Sequence, residues 1–428
     1  MPCPSRRSVL QTAATGIGLL GTGCLSSSDA NRPTSTQTDS RTPTATKTDG
    51  GATPTWTVDE RVDTTPPGTP PLDPTGEWPS YRFDAGNTGA NPDGTGVRNG
   101  TEYWRLKAGG PATIADGTLY NIASRDRETR TLTYRDPSTA SLKTSSNLVE
   151  YGVSHPPVVG DGRVFVTTYV EVFCFDAQSG EQQWRGPAMN GIQGRPTVHE
   201  GRVFVNSGGS GDVRPQLRAF EATSGDELWR YDTGDETKST PAVDEGRVFI
   251  SSAGGLHALD LASGEEEYVV DTVAEPWATP VVNEGVVYTV DATEPGYELV
   301  ALDTADRTAR WRVNVETSAP PVVSGEVVYA LTGEGLAALD SADGTVLRST
   351  PREVRPMGLV GDVLYAAGDG RVYALDTTNR LESLWSLITE EVQISDTVGR
   401  HVFHVTPVDG AVYVSARDAF HGIGPGKE

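Results

Sequence analysis

Short hydrophobic runs recur in a fixed order from about residue 111 to the C-terminus. Each copy begins with a proline and two or three apolar residues, then an acidic-Gly pair and a second apolar run. It ends in a Leu-x-Ala-Leu-Asp stretch and another Gly turn, as between Pro241 and Gly264. The opening proline occurs eight times, as Pro111, Pro157, Pro196, Pro241, Pro280, Pro321, Pro356 and Pro407. A repeat of roughly 40 residues with several strands in each copy predicts an all-β propeller.

The parts of each copy suit strands and tight turns. Proline fixes φ and donates no main-chain hydrogen bond, so it fits the first residue of a strand. Pairs such as Asp161-Gly162 and Glu245-Gly246 supply the left-handed conformation of a tight hairpin. The two apolar runs between these turns are therefore predicted to be adjacent antiparallel strands.

The second turn carries a more specific pattern. An acidic residue is followed by Gly four places later and by an aromatic residue eight places later, as in Asp176, Gly180 and Trp184. The acidic side chain can bond turn amides, and the ring can pack between neighbouring copies, burying on the order of 200 Å². The predicted docking aromatics are Trp104, Trp184, Trp229, Tyr268, Trp311 and Trp385.

Several copies depart from this pattern. Arg307 stands in place of the Gly, and Arg348 stands in place of the aromatic residue. Trp385 comes one place late, and the copy near Asp136 is degenerate. These departures leave the period intact but predict irregular contacts between some copies.

The acid-Gly-Trp pattern resembles the PQQ-like β-propeller repeat family, whose Ala-x-Asp-x-x-x-Gly-x-x-x-Trp motif docks each blade on the next. The resemblance covers residues 78–425 and implies the fold, which serves enzymes, assembly factors and sensors alike. The last copy has only three strand-like pieces. Residues 103–106, with Trp104, are therefore predicted to complete it and close an eight-bladed β-propeller. A seven-bladed ring is the alternative if the first or sixth copy is irregular.

The N-terminal part predicts export. Residues 1–24 contain Arg6-Arg7 in a stretch that resembles the twin-arginine consensus, then a short apolar run and a lipobox-like Gly21-Thr22-Gly23-Cys24. The usual Leu three places before the Cys is missing, so cleavage without lipid is the alternative to lipidation at Cys24. Residues 25–77 are rich in Ser, Thr and Pro and predict a disordered tether before a propeller domain at 78–428. Asn99 begins a glycosylation sequon.

The charge is strongly acidic. The formal net charge is −23, and only five of the 35 basic residues are lysine. Acid excess with few lysines resembles proteins of extreme halophiles, whose self-repulsion is screened by salt; an ordinary acidic protein is the alternative. This field argues against nucleic acid as a partner.

The resemblance also implies a chemistry that the residues do not support. Enzymes of the family hold PQQ over the axis with calcium, a catalytic Asp and often a disulfide between adjacent cysteines. This chain has three separate cysteines and no matching set of ligands. We therefore expect no catalytic residues, no metal site, and neither PQQ nor calcium as a cofactor.

A ligand site is predicted at one mouth of the axial channel, where the residues before the opening prolines lie. Arg195 and Arg355 are four blades apart in an eight-bladed ring and would face each other, with His155 and Trp277 nearby. The alternative is that each Arg pairs with a neighbouring acidic residue.

The sequence thus predicts a monomeric propeller, lipid-anchored at the outer face of the cytoplasmic membrane. There it would serve as a binding or scaffolding module for a protein or another extracellular ligand. A PQQ- and calcium-dependent quinoprotein dehydrogenase and a surface glycan-binding propeller are the alternatives.

Overall fold

Strands make up all the regular structure described by the computed structural model. It describes residues 61–64, 69–107, 109–124, 130–148, 155–189, 191–209, 214–271, 276–294, 296–389, 392–394, 397–399 and 401–426. The predicted signal, with Arg6, Arg7 and Cys24, and most of the predicted tether lie outside these residues. Within the described part, no helix is long and apolar enough to cross a bilayer.

Three strands precede the first complete copy: β1 (Arg61–Asp63), β2 (Ala90–Asn91) and β3 (Gly100–Leu106). Seven four-stranded antiparallel units then follow in chain order. Blade 1 contains β4 (Ala112–Ala115), β5 (Thr118–Ser124), β6 (Arg130–Arg135) and β7 (Leu142–Leu148). Blade 2 contains β8 (Val158–Gly160), β9 (Arg163–Thr167), β10 (Val172–Asp176) and β11 (Gln182–Arg185). Blade 3 contains β12 (Thr197–His199), β13 (Arg202–Ser207), β14 (Gln216–Glu221) and β15 (Glu227–Asp232).

The next four units have the same build, and the last of them also takes β2 in parallel on its inner side. Blade 4 contains β16 (Ala242–Asp244), β17 (Arg247–Ser252), β18 (Gly255–Asp260) and β19 (Glu266–Val270). Blade 5 contains β20 (Val281–Asn283), β21 (Val286–Thr293), β22 (Gly296–Asp303) and β23 (Ala309–Val315). Blade 6 contains β24 (Val322–Ser324), β25 (Val327–Thr332), β26 (Gly335–Asp340) and β27 (Val346–Thr350). Blade 7 contains β28 (Arg355–Val360), β29 (Val363–Gly368), β30 (Arg371–Asp376) and β31 (Glu382–Ile388).

Blade 8 joins the two ends of the propeller. A hairpin of β32 (Val392–Ile394) and β33 (Thr397–Gly399) precedes β34 (Val402–Val408), β35 (Ala411–Ala416) and β36 (Phe420–Pro425). Strand β3 then pairs antiparallel with β36, with Trp104 opposite Gly422. The eight-bladed ring and its closure by the Trp104 strand are confirmed, and the seven-bladed alternative is wrong. Closure by an N-terminal strand leaves no long unpaired edge between the first and last blades.

The folded part begins before residue 78. Strand β1 adds a fifth strand to blade 8, with Asp63 opposite Trp104. Leu72 is buried in the same core, and the Thr75 amide donates to the Asp409 carbonyl at 3.2 Å. Residues 61–64 and 69–77 therefore belong to the propeller, although their composition placed them in the tether. Main-chain pairing and one isolated Leu hold them, and neither leaves a periodic pattern in the sequence.

The core is distributed between blades, and the acidic-Gly pairs form the hairpins predicted. Phe165 of β9 packs with Val203 and Val205 of β13 in the next blade. Asp161 and Gly162 have φ values of 52° and 71°, and Glu200-Gly201, Glu245-Gly246 and Glu284-Gly285 repeat this. Two successive positive φ values are those of the hairpin turn that matches strand twist.

Candidate functional site

The predicted docking tryptophans each reach the next blade. The Trp184 indole donates to the Ala222 carbonyl at 3.0 Å, Trp229 to Leu261 at 3.1 Å, and Trp311 to Ser341 at 2.9 Å. Each acceptor is the residue after the acidic residue of the next blade's second turn. The ring lies on the Gly of that turn: a Cβ at Gly225 would come within 2.7 Å of Trp184. These contacts explain why the motif needs both Gly and an indole.

Where the motif departs, other side chains make the contact. Tyr268 donates to the Thr304 carbonyl at 3.2 Å, and Arg307, in the place of Gly, stacks over its ring at 4.4 Å. Arg348, in the place of the aromatic, donates to the Thr377 carbonyl of blade 7. Leu381 of blade 7 is buried in the same cluster as Ala338, the strand partner of Arg348. At this boundary, the hydrogen bond therefore comes from blade 6 and the buried apolar side chain comes from blade 7.

The slipped and degenerate copies are explained by the structure as well. Arg380 and Leu381 both have positive φ, so this turn is one residue longer and Trp385 follows one place later. The Trp385 indole donates to the Val97 carbonyl at 2.7 Å, and Trp104 donates to Ser138 of blade 1 at 3.0 Å.

Blade 1 makes its contact with tyrosines. Thr144 holds the position opposite Tyr134 where other blades have the aromatic residue. Tyr120 instead donates to the Ala177 carbonyl of blade 2 at 3.1 Å, and the rings of Tyr120 and Tyr134 lie 5.2 Å apart. Sequence reasoning missed both tyrosines, because Tyr134 lies on the third strand rather than the fourth. A cavity of about 560 Å³ remains beside them, also lined by Lys143 and Asp176.

Residues 78–91, here called the axial segment, line the inside of the ring. Each inner strand is an edge whose free N–H groups need acceptors. Trp78 forms a bridge with Ile114 of blade 1. The carbonyls of Pro79, Ala85, Gly86, Thr88 and Gly89 accept from the amides of Val159, Val243, Val282, Val323 and Leu359 at 2.8 to 2.9 Å. The segment thereby accepts main-chain hydrogen bonds from the inner strands of blades 1, 2, 4, 5, 6 and 7.

Two side chains of the axial segment bind carbonyls around the axis. Arg82 is only 4% exposed and donates through Nε to the Asn87 carbonyl at 2.8 Å and through its terminal nitrogens to Pro320 and Pro321. The Asn87 amide donates to Pro241 at 3.0 Å and to Pro280 at 3.2 Å. Carbonyls at the opening prolines of blades 4, 5 and 6 are thus all held by this segment.

Tyr81 is the centre of a cluster at the mouth of the channel, here called the mouth and comprising Tyr81, Arg82, Arg195, Arg355, His155 and His404. The Arg195 guanidinium carbon lies 3.6 Å from the centroid of the Tyr81 ring. The His404 ring stacks on Tyr81 with centroids 5.6 Å apart. The strand starts of blades 3 and 8 therefore meet at one phenol of the axial segment.

The electrostatics of the mouth are dominated by guanidinium groups. Burial raises the pKa of the Tyr81 phenol, but the charges of Arg195, Arg82 and Arg355 outweigh burial and hold this pKa below its ordinary value. Burial, reinforced by Arg195, lowers the pKa of His155 and of His404 to about 3. Both imidazoles are therefore neutral near pH 7, and the positive charge of the mouth resides on arginine.

The structure brings three of the four predicted mouth residues together. Arg195, Arg355 and His155 all interact with Tyr81 or with one another. Trp277 is 50% exposed and lies with Lys238, whose Nζ is 5.2 Å from its ring centroid. Tyr81, Arg82 and His404 were missed as site residues. The signal available was an aromatic-Arg pair in a stretch beside the repeats that does not itself repeat.

The charge of Arg82 is stabilised by Asp84, but the other two arginines of the mouth have no acidic partner in the described part of the chain. Neither Arg195 nor Arg355 forms an ion pair there, and the buried Nε of Arg195 and Nε2 of His404 have no hydrogen-bond partner. Asp84 is the nearest acid in the axial segment, and its carboxylate accepts from the Thr88 amide at 2.9 Å and the Thr88 hydroxyl at 2.5 Å. Burial is the main cause that raises the pKa of Asp84.

An acidic cavity adjoins the mouth. It has a volume of about 440 Å³ and lies between blades 6, 7 and 8. Arg355 and His401 line it together with Glu316, Glu353 and Asp369. Arg355 is thus shared by a basic mouth and an acidic neighbouring space.

A serine-histidine pair that sequence reasoning did not find lies in blade 4. Ser252 Oγ is 2.8 Å from His257 Nε2, and Tyr231 connects the other ring nitrogen, at 3.0 Å, to Glu266. Ser252 is completely buried, however, and its hydroxyl also accepts the Gly254 amide at 3.0 Å. A substrate cannot reach this hydroxyl, so the network stabilises the β17–β18 hairpin.

The mouth does not fit a calcium-bound quinone. Across the described ranges, no group of three or more His, Cys, Asp or Glu side chains is placed to hold a metal ion. Calcium requires oxygen ligands, whereas the mouth presents three guanidiniums, and the Asp84 carboxylate is already bonded to Thr88. No chemical step is therefore assigned to such a cofactor.

The other predicted positions are structural or exposed. Cys174 is a buried free thiol in β10. Asn99 is exposed, and its main-chain carbonyl accepts the Gly426 amide. Glycosylation at Asn99 stays a prediction.

Comparison with known proteins places this sequence in a family. The profile of the family described as outer membrane protein assembly factor BamB matches residues 94–237 and 213–419. No curated protein sequence matches significantly.

Solved structures share the fold at low identity. BamB from Moraxella catarrhalis is 17% identical, with a TM-score of 0.55 over 74% of this chain and 95% of that protein. Quinohemoprotein alcohol dehydrogenase from Comamonas testosteroni is 13% identical, with a TM-score of 0.62 over 83% and 82%. A europium-containing methanol dehydrogenase is 12% identical, with a TM-score of 0.61 over 79% and 89%. At these identities the likeness concerns the fold alone.

Proposed function

The chain belongs to the family described as outer membrane protein assembly factor BamB, and on that premise we propose that it is a binding and scaffolding module at the cell surface. Its ligand is a protein partner, which it engages through the mouth. The role requires a rigid ring with an accessible polar site, and it requires no catalytic group.

The mouth is the observation that carries this proposal. Arg195 is half-buried and fixed over Tyr81, Arg355 is exposed, and neither is neutralised by a described carboxylate. In a chain of net charge −23, an Asp or Glu of the same chain could easily have paired with these arginines. Cations that stay accessible and unpaired are suited to recognising an external group.

The alternatives rest on weaker observations. A quinoprotein dehydrogenase shares the fold, but calcium finds no ligand set at the mouth. Reconstitution with PQQ and calcium tests it, because a bound quinone absorption band would overturn the binding proposal. A glycan-binding propeller would use exposed rings for stacking, and Trp277 offers one such ring beside Lys238.

The location proposed is the outer face of the cytoplasmic membrane. Arg6 and Arg7 would direct export, and a lipid on Cys24 would anchor a monomeric propeller. Changing Cys24→Ser should release the protein into the medium. If the variant stays in the membrane fraction with detergent-like partitioning, the lipid anchor is wrong.

A haloarchaeal setting is part of the proposal. Mutual repulsion of surface carboxylates should be screened by salt, so the melting temperature should rise between about 0.1 M and 3 M KCl. An unchanged melting temperature would exclude the halophile interpretation.

The binding role is tested by affinity capture from native membranes in high salt. The full chain is compared with Arg195→Gln and with Arg214→Gln, which removes the same charge from a side chain that is 77% exposed. A protein captured by the wild type and Arg214→Gln but lost with Arg195→Gln supports the role. An identical set of proteins on all three baits contradicts it.

A further inference from the structure

We propose that the mouth is a carboxylate-binding site that takes an Asp or Glu side chain from a segment of the partner protein. This inference rests on the binding role proposed above and specifies the chemistry of its ligand. It follows from the arrangement of donors at the mouth, from their charge, and from the cavity beside them.

The donors are held in place before any ligand arrives. The face of the Arg195 guanidinium lies against the Tyr81 ring at 3.6 Å, and its main-chain amide donates to the Thr240 hydroxyl at 3.3 Å. A guanidinium stacked by its face keeps its N–H groups directed outward in its own plane. This geometry matches the two oxygens of a carboxylate, which guanidinium groups bind in a bidentate manner.

Unpartnered donors at the mouth point to a ligand independently of charge. The Nε of Arg195 and the Nε2 of His404 are buried and closed to a ligand, but the terminal nitrogens of Arg195 are not buried and have no partner among the described residues. Polar groups in folded proteins are nearly always hydrogen-bonded, to protein, water or ligand. A carboxylate placed beside Tyr81 could therefore accept from the two terminal nitrogens of Arg195.

The charge of the mouth selects an anion. Arg82, Arg195 and Arg355 all act on the same phenol. Arg82 cannot turn away to relieve repulsion, because its nitrogens are bonded to Asn87, Pro320 and Pro321. Like charges held together repel, and a bound carboxylate would remove part of that repulsion.

The neighbouring cavity selects a single carboxylate over a polyanion. Glu316, Glu353 and Asp369 line it together with Arg355. A polyphosphate or a run of acidic residues would extend over these acids and be repelled. One Asp or Glu flanked by neutral or basic residues would place its carboxylate at Tyr81 and its neighbours in about 440 Å³ of space.

The exposure of the mouth favours a protein segment over a small free acid. Sites for small molecules bury most of the ligand's surface. Here Arg355 is exposed, while Arg195 and Tyr81 are only half-buried. A ligand that is part of a larger chain gains the remaining contacts from the surrounding loops.

The test uses the full chain at the lowest KCl concentration at which circular dichroism shows the native sheet. The probe is a fluorescent Gly-Ser peptide with one central Glu and blocked ends, and the matched probe carries Gln instead. We expect binding of the Glu peptide only. Loss of a bidentate charge-assisted contact in Arg195→Gln should raise its Kd at least about tenfold.

Control variants keep the result interpretable. Arg214→Gln should leave the Kd unchanged, and Arg195→Lys, which keeps the charge but loses the fork, should be intermediate. Equal binding of both peptides, or equal Kd values for Arg195→Gln and Arg214→Gln, would overturn the carboxylate site. Propionate that binds as tightly as the Glu peptide would overturn the protein source and assign the site to small acids.

Failure of this inference can be told apart from failure of the binding role. If affinity capture still depends on Arg195 while neither peptide binds, the partner uses the mouth through other chemistry. If binding of the Glu peptide depends on Arg195 but affinity capture does not, the carboxylate site exists and the scaffolding role is wrong.

Discussion

The outer rim and the axis of this propeller are held together in different ways. At the rim, a side chain of each blade donates to a main-chain carbonyl of the next, from Tyr120 in blade 1 to Trp104 in blade 8. At the axis, one segment that does not repeat supplies acceptors to six blades. The rim is a set of similar local contacts, whereas the axis depends on a single stretch of chain.

This difference decides which positions tolerate change. The rim contact is made by Trp184, by Tyr268 or by Arg348, so the chain itself shows that several side chains serve. Substitution there affects one boundary between blades. The axial segment has no second copy, and Arg82 alone contacts carbonyls of three residues. The predictions below compare the two regions.

The largest single effect is expected at the rim position that closes the ring. Trp104 is fully buried, packs on Tyr413 and Phe420, and donates to Ser138. Trp104→Ala should lower the free energy of unfolding by about 3–5 kcal/mol, a large share of the stability of a domain. Denaturant titration in high salt measures the loss. The half-exposed Trp277→Ala is the control and should cost much less; equal costs would refute closure through Trp104.

The matching test at the axis is Arg82→Met, which keeps an unbranched side chain but removes the guanidinium. It leaves the buried carbonyls of Asn87 and Pro321 without their donor, so the expected loss is about 2–4 kcal/mol. Removing a buried charge offsets part of this cost. The same titration measures it, with Arg214→Met as the control. A cost as small as the control's would show that the axial segment holds the ring through its main chain alone.

Two buried histidines, one in each region, should make the stability of the protein depend on pH in opposite directions. Burial first, then Arg195 and Arg82, lower the pKa of His404 at the axis to about 3. The unfolded chain takes up a proton near its ordinary pKa of about 6.5, so acid favours unfolding by about 1.4 kcal/mol per pH unit below that value. His404→Gln should flatten the fall in stability between about pH 6 and pH 4. An unchanged slope would mean that His404 is charged in the folded protein.

His421, at the rim, gives stability the opposite dependence on pH. Burial lowers the pKa of His421, but the carboxylates of Asp418 and Glu102, the latter hydrogen-bonded to Nδ1 at 2.6 Å, outweigh burial and raise it above the ordinary value. Its contribution is therefore fully present below about pH 6.5 and lost as the pH rises through the raised pKa. His421→Gln should cost more at about pH 5 than at about pH 9 in the same unfolding assay. The reverse order would contradict the assignment.

The same contrast explains what could be predicted from sequence. The sequence motif for the rim contact recurs along the repeats. Counting the spacings of acid, Gly and aromatic residues therefore identified Trp184, Trp229 and Trp311 and the number of blades. Counting blades also placed Arg195 and Arg355 at one mouth. Tyr81 and Arg82 could not be assigned a role, because a stretch without copies has no register against the repeats. Leu381 was hidden by a one-residue insertion whose packing depends on blade 6.

The smallest effect is expected where the rim contact is divided between two blades. Arg348 supplies the hydrogen bond to Thr377, while Leu381 supplies the buried apolar surface that an indole provides elsewhere. Arg348→Met keeps the aliphatic stem and removes the charged donor from a partly exposed position. Because one side of the contact stays intact, the loss should be about 1 kcal/mol, several-fold less than for Trp104→Ala. Leu381→Ala is the matched comparison and should cost about 2–4 kcal/mol, because it opens a cavity in a filled cluster. Should Arg348→Met cost as much as Trp104→Ala, the hydrogen bond rather than apolar burial would dominate docking at the rim, and Tyr120 would then be expected to matter as much as any tryptophan.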